Sequence, residues 1–114
     1  MAESPIFVKT YDLLQWLVPR TLKFPREHRF VLATRIQTRA FDLQRALLFA
    51  AKATSSKDTA QALQRADVEL AELRLNLRLA LDLTVLDARG YAHVARLTDE
   101  VGKLLGGWQR TVAH

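Results

Sequence analysis

The groups in this chain that could do chemistry are mostly cations. Lysine and arginine number 17 against 12 aspartates and glutamates, for a formal charge of +5. They are unevenly placed: residues 1–57 hold ten Lys/Arg and four Asp/Glu, residues 58–114 seven and eight. A basic half of this kind is the electrostatic footprint of a surface that meets a polyanion. Arg20, Lys23, Arg26 and Arg29 gather around Phe24-Pro25, and Arg35 and Arg39 follow. Arg74 and Arg78 stand four apart, a spacing at which like charges on a helix repel unless an anion or a carboxylate lies between them. Two arrangements relieve the repulsion: internal pairs of Arg78 with Asp82 and Arg74 with Asp67, or an external phosphate or acidic patch. Contacts from such side chains to phosphate hold the backbone of a nucleic acid and carry little sequence information.

Catalytic chemistry has less to draw on. His28, His93 and His114 have no neighbours at metal-ligand spacing, and the Glu-x-x-His and His-Glu-x-x-His patterns that build metal sites on helices do not occur. Glu69 and Glu72 share a helix face and read as solvated carboxylates. Serine occurs only at Ser4, Ser55 and Ser56, where helix capping explains it. Arg89-Gly90-Tyr91-Ala92-His93 loosely resembles the Arg/His pair of the all-α HEPN ribonucleases, one residue short of that spacing and with no polar residue directly after Arg89. The expectation is no catalytic residue, no metal and no cofactor. With no cysteine there is neither a disulfide framework nor a thiolate site.

The elements that must position these cations follow from periodicity. The chain of 114 residues is sized for a single domain, residues 1–114, with one core. Ile6 to Val18, broken by Lys9 and Asp12, reads as an amphipathic helix rather than a signal peptide or membrane span, so a cytoplasmic protein is expected. Helix one opens at Ser4-Pro5, buries Phe7, Tyr11, Leu14 and Val18, and should kink or lose regularity at Pro19. Helix two, from Pro25 to Ala53, carries a seam of Ala33, Ile36, Ala40, Leu43, Leu47 and Ala50, which extended backwards places Arg29 upon it. Leu73 to Leu83 alternates apolar and polar residues as a strand would. Leucine rather than β-branched residues, and more than twenty residues around it without Gly or Pro, make it helix three, ending near Leu86. Helix four begins at the cap Asp87 and buries Tyr91, Val94, Ala95, Val101, Leu105 and Trp108, with Gly102, Gly106 and Gly107 allowing close approach or a frayed end. Four helices with short connections predict an all-α, antiparallel up-down four-helix bundle.

Helices two and three are each apolar on two sides. Helix three sets Leu63, Ala66, Leu70, Leu73, Leu77 and Ala80 against Val68, Leu75, Leu79 and Leu86; helix two adds Phe30, Phe41 and Leu48 outside its seam. One face meets the chain's own core. The second stripe, Phe30, Phe41, Leu48, Val68, Leu75, Leu79 and Leu86, is expected to meet another copy of the chain.

Several segments together carry a family resemblance. They are Tyr11-Asp12-Leu13-Leu14 with Trp16-Leu17-Val18-Pro19-Arg20, Lys23-Phe24-Pro25-Arg26 with Arg29-Phe30, Leu73-Arg74 with Leu77-Arg78 and Ala80, and Tyr91 with His93 ahead of Asp99-Glu100-Val101-Gly102 and Leu105-Gly106-Gly107-Trp108. The chain resembles the accessory variability determinant (Avd) of diversity-generating retroelements, and is more distantly similar to the four-helix-bundle proteins encoded by ribosomal-RNA intervening sequences. The resemblance implies a non-enzymatic bundle that assembles as a ring-like homopentamer. It also implies binding of template RNA or cDNA through the basic surface and association with the retroelement reverse transcriptase during mutagenic cDNA synthesis; Arg20, Lys23, Arg26, Arg29, Arg35, Arg39, Arg74 and Arg78 are the candidate contacts to nucleic acid, of weak sequence specificity, or to the polymerase. A generic RNA-binding or interaction bundle is the alternative, and a HEPN-like ribonuclease a lesser one.

Overall fold

Pro5 sits in the first turn of α1 (Pro5–Leu22), where its missing N–H leaves no hydrogen bond unmade. In the computed structural model, which describes residues 4–113, four helices and no strand are found among those residues. Helix α1 does not end at Pro19; the ring faces solvent and the helix continues to Leu22. Its buried line is Ile6, Leu13, Leu14 and Leu17 with Thr10 and Thr21, whose hydroxyls donate to the carbonyls of Ile6 (2.7 Å) and Val18 (2.8 Å). Those bonds let two hydroxyls enter the core without an unmet donor. Tyr11, expected inside, is 59% exposed.

Residues 26–52 form one helical rod, α2, made of Arg26–His28, a π turn over Arg29–Ala33, and Thr34–Lys52. The seam from Ala33 to Ala50 is buried at every expected position. Arg29 is not on it. A π turn holds an extra residue, which rotates what precedes it relative to the α-helical seam. Arg29 therefore faces solvent, and its Nε donates to the Phe24 carbonyl at 3.0 Å. The Thr34 hydroxyl bonds the Arg29 carbonyl at 3.2 Å, within the same turn.

Helix α3 (Ser56–Asp82) is capped by Ser55, whose Oγ accepts from the Asp58 amide at 3.0 Å; α4 (Ala88–Val112) is capped by Asp87, whose Oδ1 accepts from the Gly90 amide at 2.7 Å. The end of α3 departs from expectation. Thr84 takes a left-handed backbone, φ 59°, and the amides of Val85 and Leu86 both turn back to the Ala80 carbonyl at 2.9 and 3.1 Å. This left-handed C-terminal turn stops the helix at Asp82 and folds the chain inward. Leu86, expected on the outward stripe, is thus in the core at 6% exposure.

The helices pack as neighbours in a closed order, α2 on α3, α3 on α4, α4 on α1 and α1 on α2. With connections as short as residues 23–25, 53–55 and 83–87, successive helices run antiparallel. One apolar cluster threads all four, from Ile6 and Leu17 through Leu43 and Leu73 to Leu105. Gly102 lies where α3 approaches α4, and a Cβ there would come 2.6 Å from Nη2 of Arg74. Gly106 and Gly107 meet nothing so close, and α4 passes through them to Val112 without fraying.

Candidate nucleic-acid interface

The basic residues divide into two populations. Around the α1–α2 junction, Phe24 is buried and pins the connection to the core, so the cations on either side of it are held at one end of the bundle. Arg20, in the last turn of α1, lays its guanidinium over Trp16, with the central carbon 4.6 Å from the ring centroid. Trp16 in turn packs against His93 of α4 at 5.2 Å between centroids. Lys23, Arg26 and Arg35 are exposed. Among the described residues, none of Arg20, Lys23, Arg26, Arg29 and Arg35 has a carboxylate within ion-pair distance. Leu22, Phe30 and Val31 stand exposed among them.

Arg39, Arg74 and Arg78 are different, because each already has a partner. Arg39 lies between α2 and α3, 3.0 Å from Glu69, 3.2 Å from Glu72 and 3.1 Å from Asp42. Glu69 is not a solvated carboxylate: it is 2% exposed and also takes Arg65 Nε at 3.0 Å. Two guanidinium groups thus neutralise one buried charge, the condition under which a carboxylate can be buried at all. Arg78 pairs with Asp82 at 3.2 Å, as the internal alternative had it. Arg74 reaches across to α4 instead of Asp67: its Nη2 donates to the Thr98 carbonyl at 3.2 Å and lies 3.3 Å from Asp99. Gly102 makes room for that crossing.

The second apolar stripe survives with one loss. Phe41, Leu48, Val68, Leu75 and Leu79 are exposed on α2 and α3, Leu75 at 71%, and Phe30 lies nearer the junction; Leu86 leaves the set. Phe49 and Leu83, not singled out by the sequence, are exposed as well. Phe49 borders a groove of about 450 Å³ between the far end of α2 and the start of α3, with Ala46, Lys52, Ala62 and Arg65 among its walls. His93 takes a hydrogen bond at Nδ1 from Arg96 at 3.1 Å in addition to its contact with Trp16. No group of three His, Asp or Glu side chains among the described residues converges as a metal site, and no helix among them is long and apolar enough to cross a membrane.

A family model described as bAvd-like matches residues 6–112, from the first turn of α1 to the last residue of α4. The chain belongs to the bAvd-like family. No curated protein matches it. Membership in the bAvd-like family agrees with the segments that carried the resemblance.

Proposed function

We propose that this protein is a non-enzymatic accessory subunit of a diversity-generating retroelement, working in the cytoplasm as a ring-like homo-oligomer, five copies by family analogy. It binds template RNA or cDNA through the α1–α2 junction and associates with the retroelement reverse transcriptase. The observation that carries the reading is the set of cations Arg20, Lys23, Arg26, Arg29 and Arg35 near the α1–α2 junction, with no carboxylate partner among the described residues. Lysine and arginine that cluster without carboxylates repel one another unless a polyanion meets them. Arg39, held in the Glu69 network, drops out of the proposed contact set. Arg74 and Arg78 keep partly exposed guanidinium groups on α3 and suit an acidic patch on the polymerase. The stripe of Phe41, Leu48, Val68, Leu75 and Leu79 supplies the contact between copies, and a ring repeats the junction around its rim, which raises avidity.

Anisotropy titrations of a labelled single-stranded RNA over a salt series test the nucleic-acid part. The slope of log affinity against log salt is expected to be steep and to flatten by about 0.7 for each phosphate contact removed. Lys23→Gln with Arg26→Gln flattens it, and Arg39→Gln does not. Affinity that is indifferent to salt, or to the two junction changes, overturns the reading.

A further inference from the structure

We infer that the α1–α2 junction takes unpaired nucleotides, with the ring of Phe30 as the platform on which a base stacks and the surrounding cations on the flanking phosphates. The inference rests on the nucleic-acid reading above and narrows it from nucleic acid in general to single strands.

Phe30 is 86% exposed, the highest value among the large apolar side chains of the described residues. Its exposure follows from the backbone. The π turn Arg29–Ala33 buries Leu32 and Ala33 and leaves Phe30 and Val31 facing out. Single π turns inside α-helices recur at functional sites. Arg26 lies one turn before Phe30 and Arg29 beside it, and from residue 20 to residue 35 the five cations are opposed by Glu27 alone.

Charge decides what covers this ring. A second copy applied with its own junction would bring two sets of cations together, and a ring closed through the stripe of Phe41, Leu48, Val68, Leu75 and Leu79 leaves the junction outside the contact between copies. A protein partner would require a dry centre poor in charge, whereas the stretch from residue 20 to residue 35 that carries this ring holds five cations. A single-stranded nucleic acid satisfies both features at once, since its phosphates meet the cations and every base has a π face to lay on phenylalanine. A duplex does not, because its bases are already stacked on one another. Arg20, whose guanidinium carbon lies 4.6 Å from the Trp16 ring centroid and which is itself exposed, offers a second surface of the kind that unpaired bases use.

The test uses the full-length protein and three labelled probes, namely a short oligoadenylate, an RNA duplex of the same length, and the corresponding strand with abasic sugars. Phe30→Ala is expected to weaken oligoadenylate binding roughly tenfold, the order expected for one lost stacked base. Duplex and abasic-strand binding stay unchanged, and Phe30→Trp restores the parent value. If Phe30→Ala leaves oligoadenylate affinity intact, stacking is wrong while nucleic-acid binding stands. If the parent protein binds none of the three probes, the underlying reading fails and the inference with it. An equal loss on all three probes, or a smaller particle by light scattering, makes Phe30 a contact between copies and overturns the proposal.

Discussion

Replacing Arg39 by alanine separates a structural arginine from a ligand-binding one. Arg39 is the main link between α2 and the buried Glu69, at 3.0 Å, and it also holds Asp42 and Glu72 at 3.1 and 3.2 Å. Removing one partner of a buried ion pair costs about 3–5 kcal/mol, because the other charge is left uncompensated. Here Arg65 remains on Glu69 at 3.0 Å, so part of the compensation survives and about 2–3 kcal/mol is expected. The contacts to Asp42 and Glu72 are more exposed and add no more than about 1 kcal/mol each. For a domain of this size the loss corresponds to a fall in melting temperature of about 10 °C. Melting followed by circular dichroism, at one protein concentration so that assembly does not confound it, reads the effect. Arg39→Leu with Glu69→Leu should recover much of it, since an apolar pair leaves no charge stranded. A variant that melts within about 2 °C of the parent while RNA binding drops would refute the reasoning and return Arg39 to the ligand-contact set in which the sequence placed it.

Thr84→Gly is expected to stabilise the protein by about 1 kcal/mol, because a β-branched residue at φ 59° is strained where glycine is not; thermal melting checks it. The Lys9 ammonium stands 2.9 Å from the Glu100 carboxylate, and this contact lowers the Glu100 carboxyl and raises the Lys9 ammonium from their ordinary values. The Glu100 contribution is present above the ordinary carboxylate range and lost as pH falls through its lowered folded value, and the Lys9 contribution is lost only as pH rises through its raised one. A double-mutant cycle with Lys9→Met and Glu100→Gln should therefore show coupling at neutral pH that vanishes in strong acid. Leu75→Glu with Leu79→Glu should reduce the particle to a helical monomer near 13.0 kDa by light scattering, with unchanged helical content.

The seams of the bundle were legible because helix periodicity records burial directly. Every seam residue expected between Ala33 and Ala50, and between Leu63 and Ala80, is buried. What periodicity missed came from polar groups that belong to the core. Glu69 stands three after Ala66 and four before Leu73, squarely in the seam, but a charge there reads as an exception until its arginines are known, and Arg39 is thirty residues away in sequence. Thr10 and Thr21 displaced Tyr11 from the buried line for the same reason, since a hydroxyl bonded to its own helix packs as an apolar group. The end of α3 was misplaced because no glycine or asparagine announces the left-handed turn; Thr84 takes it despite the strain, and Leu86 goes inside as a result. The π turn carried no signal at all, and with it the sequence could not distinguish Arg29 on the seam from Arg29 folded over Phe24. At the candidate site, clustering of the junction cations was visible, whereas their lack of carboxylate partners, and the possession of such partners by Arg39 and Arg74, depended on contacts between helices.

The measurement that tests the central claim most directly is cDNA synthesis by the retroelement reverse transcriptase on its template-repeat RNA, with and without this protein. Product is expected to depend on the protein and to be lost with Lys23→Glu and Arg26→Glu, while circular dichroism and particle size match the parent. Equal product in the absence of the protein, or full activity with both junction charges reversed, would contradict an accessory role exercised through the α1–α2 junction.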